Sequence, residues 1–266
     1  MTRVLITNDD GIDSAVLVPL ARALGEFCDV SVVVPNKQQS GVGHAFTFYS
    51  SLSYNQLLHD DFDGLDFYTI DGTPADCVKF AFRKLFKDQH FDLVISGINN
   101  QLNTGVAVYY SGTVAGAREA ALMQVPSIAI SAVNFSAENL GYGVSWLTEF
   151  VKDQIFKNIP AGKYWNINLP DLSQEGTTKT SKGVKFCAMG QVMYEDNYFP
   201  EGLEVGASYN LKGMKPEGTM VPGTDDFEQN QGFVTITPLT LDQGDAQELN
   251  RLSKDLIDFT HKFASI

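Results

Sequence analysis

The sequence predicts an α/β protein built on a mostly parallel sheet. Three observations carry that expectation. Short β-branched runs, such as residues 30–34 and 93–95, are apolar without alternation, which is the pattern of strands buried on both faces. Stretches with apolar residues at helical spacing stand between such runs. Polar loops bearing Gly, Asn, Asp and Ser follow the strands, so chemistry-bearing residues gather at one end of the sheet.

The first strand, residues 4–7, stops at Asn8, Asp9, Asp10 and Gly11. In a regular strand adjacent carboxylates point to opposite faces. Gly11 ends the strand, and a turn starting at Asn8 swings both side chains to the carboxyl edge, where open α/β sheets bind ligands. Two carboxylates about 4 Å apart repel by roughly 4 kcal/mol at an effective dielectric near 20, so a fold that converges them favours a cation. The alternative is a solvated turn with one aspartate capping the next helix.

Val16, Leu17, Leu20, Ala23, Leu24 and Phe27 mark the first helix, with Pro19 in its opening turns. The strand at 30–34 ends at Pro35 and completes a βαβ unit. The polar loop 36–44 leaves the same sheet edge, so Ser40 is either a further ligand or an ordinary loop serine. Residues 67–70 form a strand that leads through Asp71 into Thr73, Pro74 and Asp76, a helix start with a capping box. Cys77, Val78, Phe80, Ala81, Leu85 and Phe86 belong to that helix.

The strand at 93–95 runs into Ser96, Gly97, Ile98, Asn99 and Asn100, and an amide oxygen there suits a hard cation. Tyr109, Tyr110, Ser111, Gly112 and Thr113 precede a helix over 114–123. Its N-terminus either cradles an anion or is simply capped by a hydroxyl, and the two tyrosines are either core residues or a surface that stacks on a base. A strand at 127–131, a helix over 144–156 and strands at 165–170 and 184–188 follow. Residues 196–232 are rich in Gly, Pro, Asp and Glu and cannot build a core alone, so they read as an arm or long hairpin docking on another surface. A strand at 233–238 and a helix carrying Leu249, Leu252, Leu256 and Phe259 close the chain. The division is a body over 1–190, an arm over 191–232 and a final strand and helix over 233–266.

A formal net charge of −13 excludes a general binder of duplex nucleic acid or of anionic membrane. A phosphate ligand then needs a locally positive site, which a divalent cation provides. Cys28, Cys77 and Cys187 are odd in number and set among apolar residues, so they read as reduced core thiols of a cytoplasmic protein. No apolar run reaches the length of a signal-peptide core or a membrane span.

Asp9, Asp10, Ser40, Asn99, Ser111 and Thr113 come from four loops, yet the βα pattern sends all of them to one edge. Oxygen-only donors favour magnesium, manganese or calcium over zinc, and such an ion polarises a phosphoryl oxygen. His44, His59, His90 and His261 show no ligand spacing, and only His44 lies near the predicted site.

Six segments resemble the SurE survival-protein nucleotidases in the same order: Asn8-Asp9-Asp10-Gly11, Ser40-Gly41, Asp71-Gly72-Thr73-Pro74, Ser96-Gly97-Ile98-Asn99, the run from Tyr110 to Ala117, and the run from Val234 to Leu239. The resemblance implies a three-layer Rossmann-like body whose C-terminal arm swaps between subunits of a homodimer or tetramer. It also implies a phosphatase that hydrolyses nucleoside 5′- and 3′-monophosphates with one magnesium or manganese ion per subunit. By the family pattern Asp9, Asp10, Ser40 and Asn99 hold the metal, while Asn99, Ser111, Gly112 and Thr113 hold phosphate. Asp9, Asp10 and Asn99 form the catalytic set, one aspartate orienting or deprotonating water. Gln39 and Gln101 depart from the arginine and glycine common in the family.

Rival chemistries fit less well. Haloacid-dehalogenase-type phosphatases need their aspartates two residues apart, and here they are adjacent. The nearest approach to a Gly-x-Ser-x-Gly elbow, around Ser145, lacks its last glycine. No Gly-x-Gly-x-x-Gly follows the first strand, so a dinucleotide domain is not indicated. A nucleotide- or metal-sensing module on the same loops remains the non-enzymatic alternative.

Overall fold

A computed structural model describes residues 1–57, 65–173, 180–202, 208–216 and 218–255. His59, His261 and the Leu256 and Phe259 expected in the closing helix lie outside these residues. The strands are β1 (Thr2–Thr7), β2 (Cys28–Pro35), β3 (Tyr54–Gln56), β4 (Asp66–Ile70), β5 (Leu93–Asn99), β6 (Ser127–Ser131), β7 (Lys163–Asn168), β8 (Val184–Phe186), β9 (Glu195–Pro200), β10 (Tyr209–Met214) and β11 (Val234–Thr240). The α-helices are α1 (Leu17–Gly25), α2 (Pro74–Phe80), α3 (Gly112–Leu122), α4 (Ala137–Lys152), α5 (Asp225–Asn230) and α6 (Ala246–Asp255).

Among the described residues nine strands form one sheet in the order β3-β4-β2-β1-β5-β6-β7-β11-β8. From β4 to β7 every neighbour is parallel; β3 joins β4 and β11 joins β7 antiparallel. The chain builds outward from β1 through β2 to β4, then returns to the other side of β1 at β5, so the strand order reverses between β1 and β5. Open sheets of this kind hold ligands at that reversal.

The pleat sorts the core into two layers. Val4 and Ile6 of β1 pack with Leu17, Leu20 and Leu24 of α1 and with Leu147 and Phe150 of α4. Leu5, pointing the other way, packs with Cys77 and Val78 of α2 and with Ala120 of α3. Helices on both faces of a mostly parallel sheet give the three-layer architecture expected from the buried runs.

Several elements differ from expectation. The helix expected to carry Leu85 and Phe86 ends as an α-helix at Phe80 and passes into a π-helical turn over Ala81–Leu85, with Phe86 beyond it. The helix expected over 144–156 runs from Ala137 to Lys152, because the Ser136 hydroxyl accepts from the Asn139 amide at 3.2 Å and starts it seven residues earlier. Gly141 and Gly143 conceal that first half in the sequence. Gly143 is there for packing, since a Cβ would lie 3.1 Å from Ile98 Cδ1. The helix ends before Gln154, whose φ of 55° is left-handed, and a separate 3-10 turn spans Ile155–Asn158. The edge strand β3 is only three residues long and too short to show a period.

The span 191–232 contains two unlike parts. The hairpin β9–β10 stands as its own two-stranded sheet with every residue exposed. The short helix α5 instead docks on the body, and its Asp225 accepts from the amides of Gly105 at 3.0 Å and Gly190 at 2.9 Å. Asp226 accepts from Lys215 Nζ at 3.0 Å, and Lys215 also donates to the Thr104 carbonyl at 3.2 Å. Both roots of the hairpin, Gly190 and Lys215, are therefore fastened to α5 and to the 104–105 turn. Among the described residues no helix is long and apolar enough to cross a membrane.

Candidate active site

Asn8 shapes the turn after β1. Its amide nitrogen donates to the Gly11 carbonyl and its Oδ1 accepts from the Gly11 amide, both at 3.0 Å. Gly11 has φ of 83°, and a Cβ would stand 2.9 Å from the Lys37 carbonyl carbon, so only glycine lets the turn close against the loop after β2. With its ends fixed in this way, the turn carries Asp9 and Asp10 to the sheet edge, as the abrupt end of the first strand foretold.

Asp9 is 4% exposed. The Thr113 hydroxyl donates to its Oδ1 at 2.6 Å, and the Thr113 amide donates to it as well. Burial pushes its pKa up to about 6; the Asp10 charge adds to the rise and the Thr113 hydroxyl opposes it. Asp10 is also raised by burial, partly offset by the Asn100 amide. Its Oδ2 is buried, and among the described residues it has no hydrogen-bond partner. Buried carboxylate oxygens are rarely left so, and the deficit is what a bound cation satisfies.

Asn99 ends β5 on the other side of the strand-order reversal. Its amide nitrogen donates to the Gln101 carbonyl at 2.6 Å, which leaves Oδ1 as the group offered to a ligand. The departure at Gln101 thus leaves its carbonyl fixing the amide. Gln39 likewise acts through its backbone, donating to the Asp9 carbonyl at 2.7 Å. Ser40 is exposed, and its hydroxyl accepts from Gln38 at 3.0 Å.

These groups line one cavity of about 300 Å³, whose wall includes Asp9, Asp10, Ser40, Asn99, Ser111 and Tyr194. Ser111 caps α3 by accepting from the Val114 amide at 3.1 Å while still facing the cavity, so capping and ligand contact are compatible here. Thr113 is fully buried behind Asp9 and is not part of the wall. Gly112 is also behind it, where a Cβ would sit 3.0 Å from Asp9 Cβ. Tyr109 and Tyr110 are not core residues: they are 58% and 57% exposed, and Tyr110 lines the cavity. Having no side-chain hydrogen bond to the site, His44 pairs with Glu119 at 3.0 Å, which also holds Lys79.

The donor set fits a hard divalent ion: two carboxylates, one of them with an orphaned oxygen, an amide oxygen and a hydroxyl. The set holds no His or Cys, the donors zinc prefers, and among the described residues no three His, Cys, Asp or Glu side chains are placed to hold a metal ion together.

Sequence reasoning missed the supports of this cavity. Asn103 lines it, donates its amide to Asn168 Oδ1 at 2.8 Å and accepts from Asn166 Nδ2 at 2.6 Å. Two fully buried asparagines at alternate positions of one strand were the available signal, because such groups must find partners. Tyr194 gave no signal, since it enters the wall from the root of the hairpin, far along the chain.

A family model described as survival protein SurE matches residues 4–196. The chain is similar to the 5′-nucleotidase SurE of Aquifex aeolicus, 37% identical over 246 residues that cover 91% of this chain and 93% of that one. It is likewise similar to the 5′-nucleotidase SurE of Solidesulfovibrio magneticus, 35% identical over 96% of this chain and 97% of the relative. The crystal structure of the SurE protein from Aquifex aeolicus superposes with a TM-score of 0.80 at 33% identity, covering 95% of this chain and 98% of that one.

Proposed function

The chain belongs to the SurE survival-protein family, and from that premise we propose that it is a 5′-nucleotidase, a metal-dependent phosphomonoesterase that hydrolyses nucleoside 5′- and 3′-monophosphates. The relatives' names support the 5′-nucleotidase reading. The metal dependence rests on one observation above the rest: the buried Asp10 Oδ2, without a partner among the described residues, on a residue that lines the same cavity as Asp9, Asn99 and Ser111.

In this reading Asp9, Asp10, Ser40 and Asn99 hold one magnesium or manganese ion. When bound, the ion supplies Lewis-acid polarisation of a phosphoryl oxygen. The protein's own groups do the rest. Thr113 locks the Asp9 carboxylate in one orientation by two donated hydrogen bonds. Ser111, at the positive end of the eleven-residue α3, offers its hydroxyl to the phosphate, while Gly112 and Thr113, expected to share that contact, lie behind the wall. Asn99 steadies the phosphate from the opposite strand end, and Asp10 orients the attacking water or takes its proton.

Supporting a homo-oligomer, the exposed hairpin presents Tyr198, Phe199, Tyr209, Leu211 and Met214 to solvent in the single chain. Three free, buried cysteines support a reducing compartment, the cytoplasm. No contact with duplex nucleic acid or membrane is proposed.

Phosphate release from a panel of nucleoside 5′- and 3′-monophosphates tests the activity. Release is expected with manganese or magnesium, lost in EDTA and restored by metal. Manganese binding with no release from any monophosphate would overturn hydrolysis in favour of a sensing module.

A further inference from the structure

The groups assigned above account for a metal ion and a phosphate. The remainder of the cavity wall includes two tyrosines that the reaction does not use. Tyr110 stands immediately before the phosphate-binding end of α3, and its carbonyl accepts from the Gly43 amide at 2.9 Å, which ties it to the loop bearing Ser40. Tyr194 comes from the root of the hairpin and is half-buried.

One face of the Tyr194 ring is occupied. Lys215 Nζ lies over one face of its ring, 5.6 Å from the centroid. That ammonium is itself fixed by Asp226 at 3.0 Å and by the Thr104 carbonyl at 3.2 Å. A cation on one face leaves the other for an aromatic partner. Burial and the neighbouring Asp226, Asp196 and Asp225 keep its phenol neutral, so it sets no second negative charge beside a phosphate. A cavity of about 300 Å³ whose wall holds both anion-binding groups and two tyrosines matches a phosphate joined to a flat ring system better than a phosphate alone.

Resting on the nucleotidase reading of this site, we infer that Tyr194 is the stacking platform for the base of the substrate, with Tyr110 as the second aromatic contact. The site thereby selects nucleotides over sugar phosphates that carry no base. The platform is sequence-tolerant, because every base offers a π-face, so it grips purines and pyrimidines alike and favours the larger stack of a purine. It also sets a base-binding group on the root of the hairpin, so specificity depends on how α5 and Lys215 hold that root.

The test is equilibrium binding to the manganese-loaded full chain by calorimetry, with AMP and ribose 5-phosphate as probes, each as its non-hydrolysable phosphonate, which prevents turnover. AMP is expected to bind at least tenfold more tightly than ribose 5-phosphate, about the worth of one base–aromatic stack. Tyr194→Leu is expected to lower that ratio roughly tenfold, and Tyr194→Phe to keep it, since the ring and not the hydroxyl carries the contact. Equal affinities in the unaltered chain, or a ratio unchanged in Tyr194→Leu, would overturn the inference. An equal loss for both probes would also overturn it, because it would mark Tyr194 as structural support. Since the readout needs no catalysis, a chain that prefers AMP in this assay yet releases no phosphate with manganese would sink the nucleotidase reading and leave the platform standing.

Discussion

Asp9 concentrates the tension in this site. Buried beside a second carboxylate, its pKa is raised from 3.8 to about 6, first by burial and then by Asp10. Because the folded value lies above the unfolded one, its contribution to folding is complete only below about pH 4 and is lost as pH rises through about 6. At neutral pH a metal-free chain therefore carries a cost on the order of 3 kcal/mol at this residue, which the proposed cation would offset. Asp9→Asn removes the charge and keeps an acceptor for Thr113. In EDTA it is expected to melt above the unaltered chain at about pH 8, with the gap closing near pH 4, while turnover with metal disappears. A melting difference independent of pH would show that Asp9 is not the titrating group. Thr113 is read by a different measurement. Thr113→Val should weaken manganese affinity and kcat/KM by roughly 10- to 100-fold, as loss of a ligand-orienting group does, and Thr113→Ser should restore both. Unchanged manganese affinity in the valine variant would remove Thr113 from this role.

The strand ends decide whether these residues meet. β5 runs between β1 and β6 with every residue buried, and its register against β6 shifts between Ser96 and Asn99. At the shift Gly97 has φ of 130°, and a Cβ there would lie 2.2 Å from the Ile130 carbonyl oxygen. Gly97→Ala is expected to cost more than about 4 kcal/mol in urea denaturation, since neither the backbone conformation nor the β6 carbonyl can yield. A loss below about 1 kcal/mol would mean that Asn99 reaches the site by another path. Much of this was legible beforehand. Uninterrupted apolar runs gave the parallel strands, and the residues just after them, Asp9, Asp10 and Asn99, were the ones brought together. Ser111 was legible as a cap and is also part of the wall. What stayed hidden depends on contacts distant in sequence: Thr113 turning its hydroxyl from phosphate to Asp9, Asn166 and Asn168 bracing the loop after β5, and Tyr194 arriving from the hairpin root. Periodicity reports which face of an element is buried, not which residue of another element it meets.

For the whole molecule, the hairpin is the part that a single chain leaves unexplained. Two-stranded sheets are marginal in water alone, and this one has no described residue covering it. Tyr198 stands directly opposite Leu211, and Pro200 opposite Tyr209, so all four side chains share one face by the period of two. Tyr198, Tyr209 and Leu211 on that face are 64%, 61% and 54% exposed. A second copy of the chain offers the same face and makes the contact mutual, as a twofold interface requires. The net charge of −13 on each chain opposes association, so salt should strengthen the assembly by screening that repulsion. Sedimentation is expected to give a mass at least twice 29.2 kDa. Tyr198→Glu combined with Leu211→Asp should return the chain to a monomer with unchanged far-UV circular dichroism, because the hairpin takes no part in the main core. A monomeric unaltered chain at micromolar concentration would leave the exposed aromatic face to a different partner, and an oligomer indifferent to the double substitution would move the contact elsewhere on the surface.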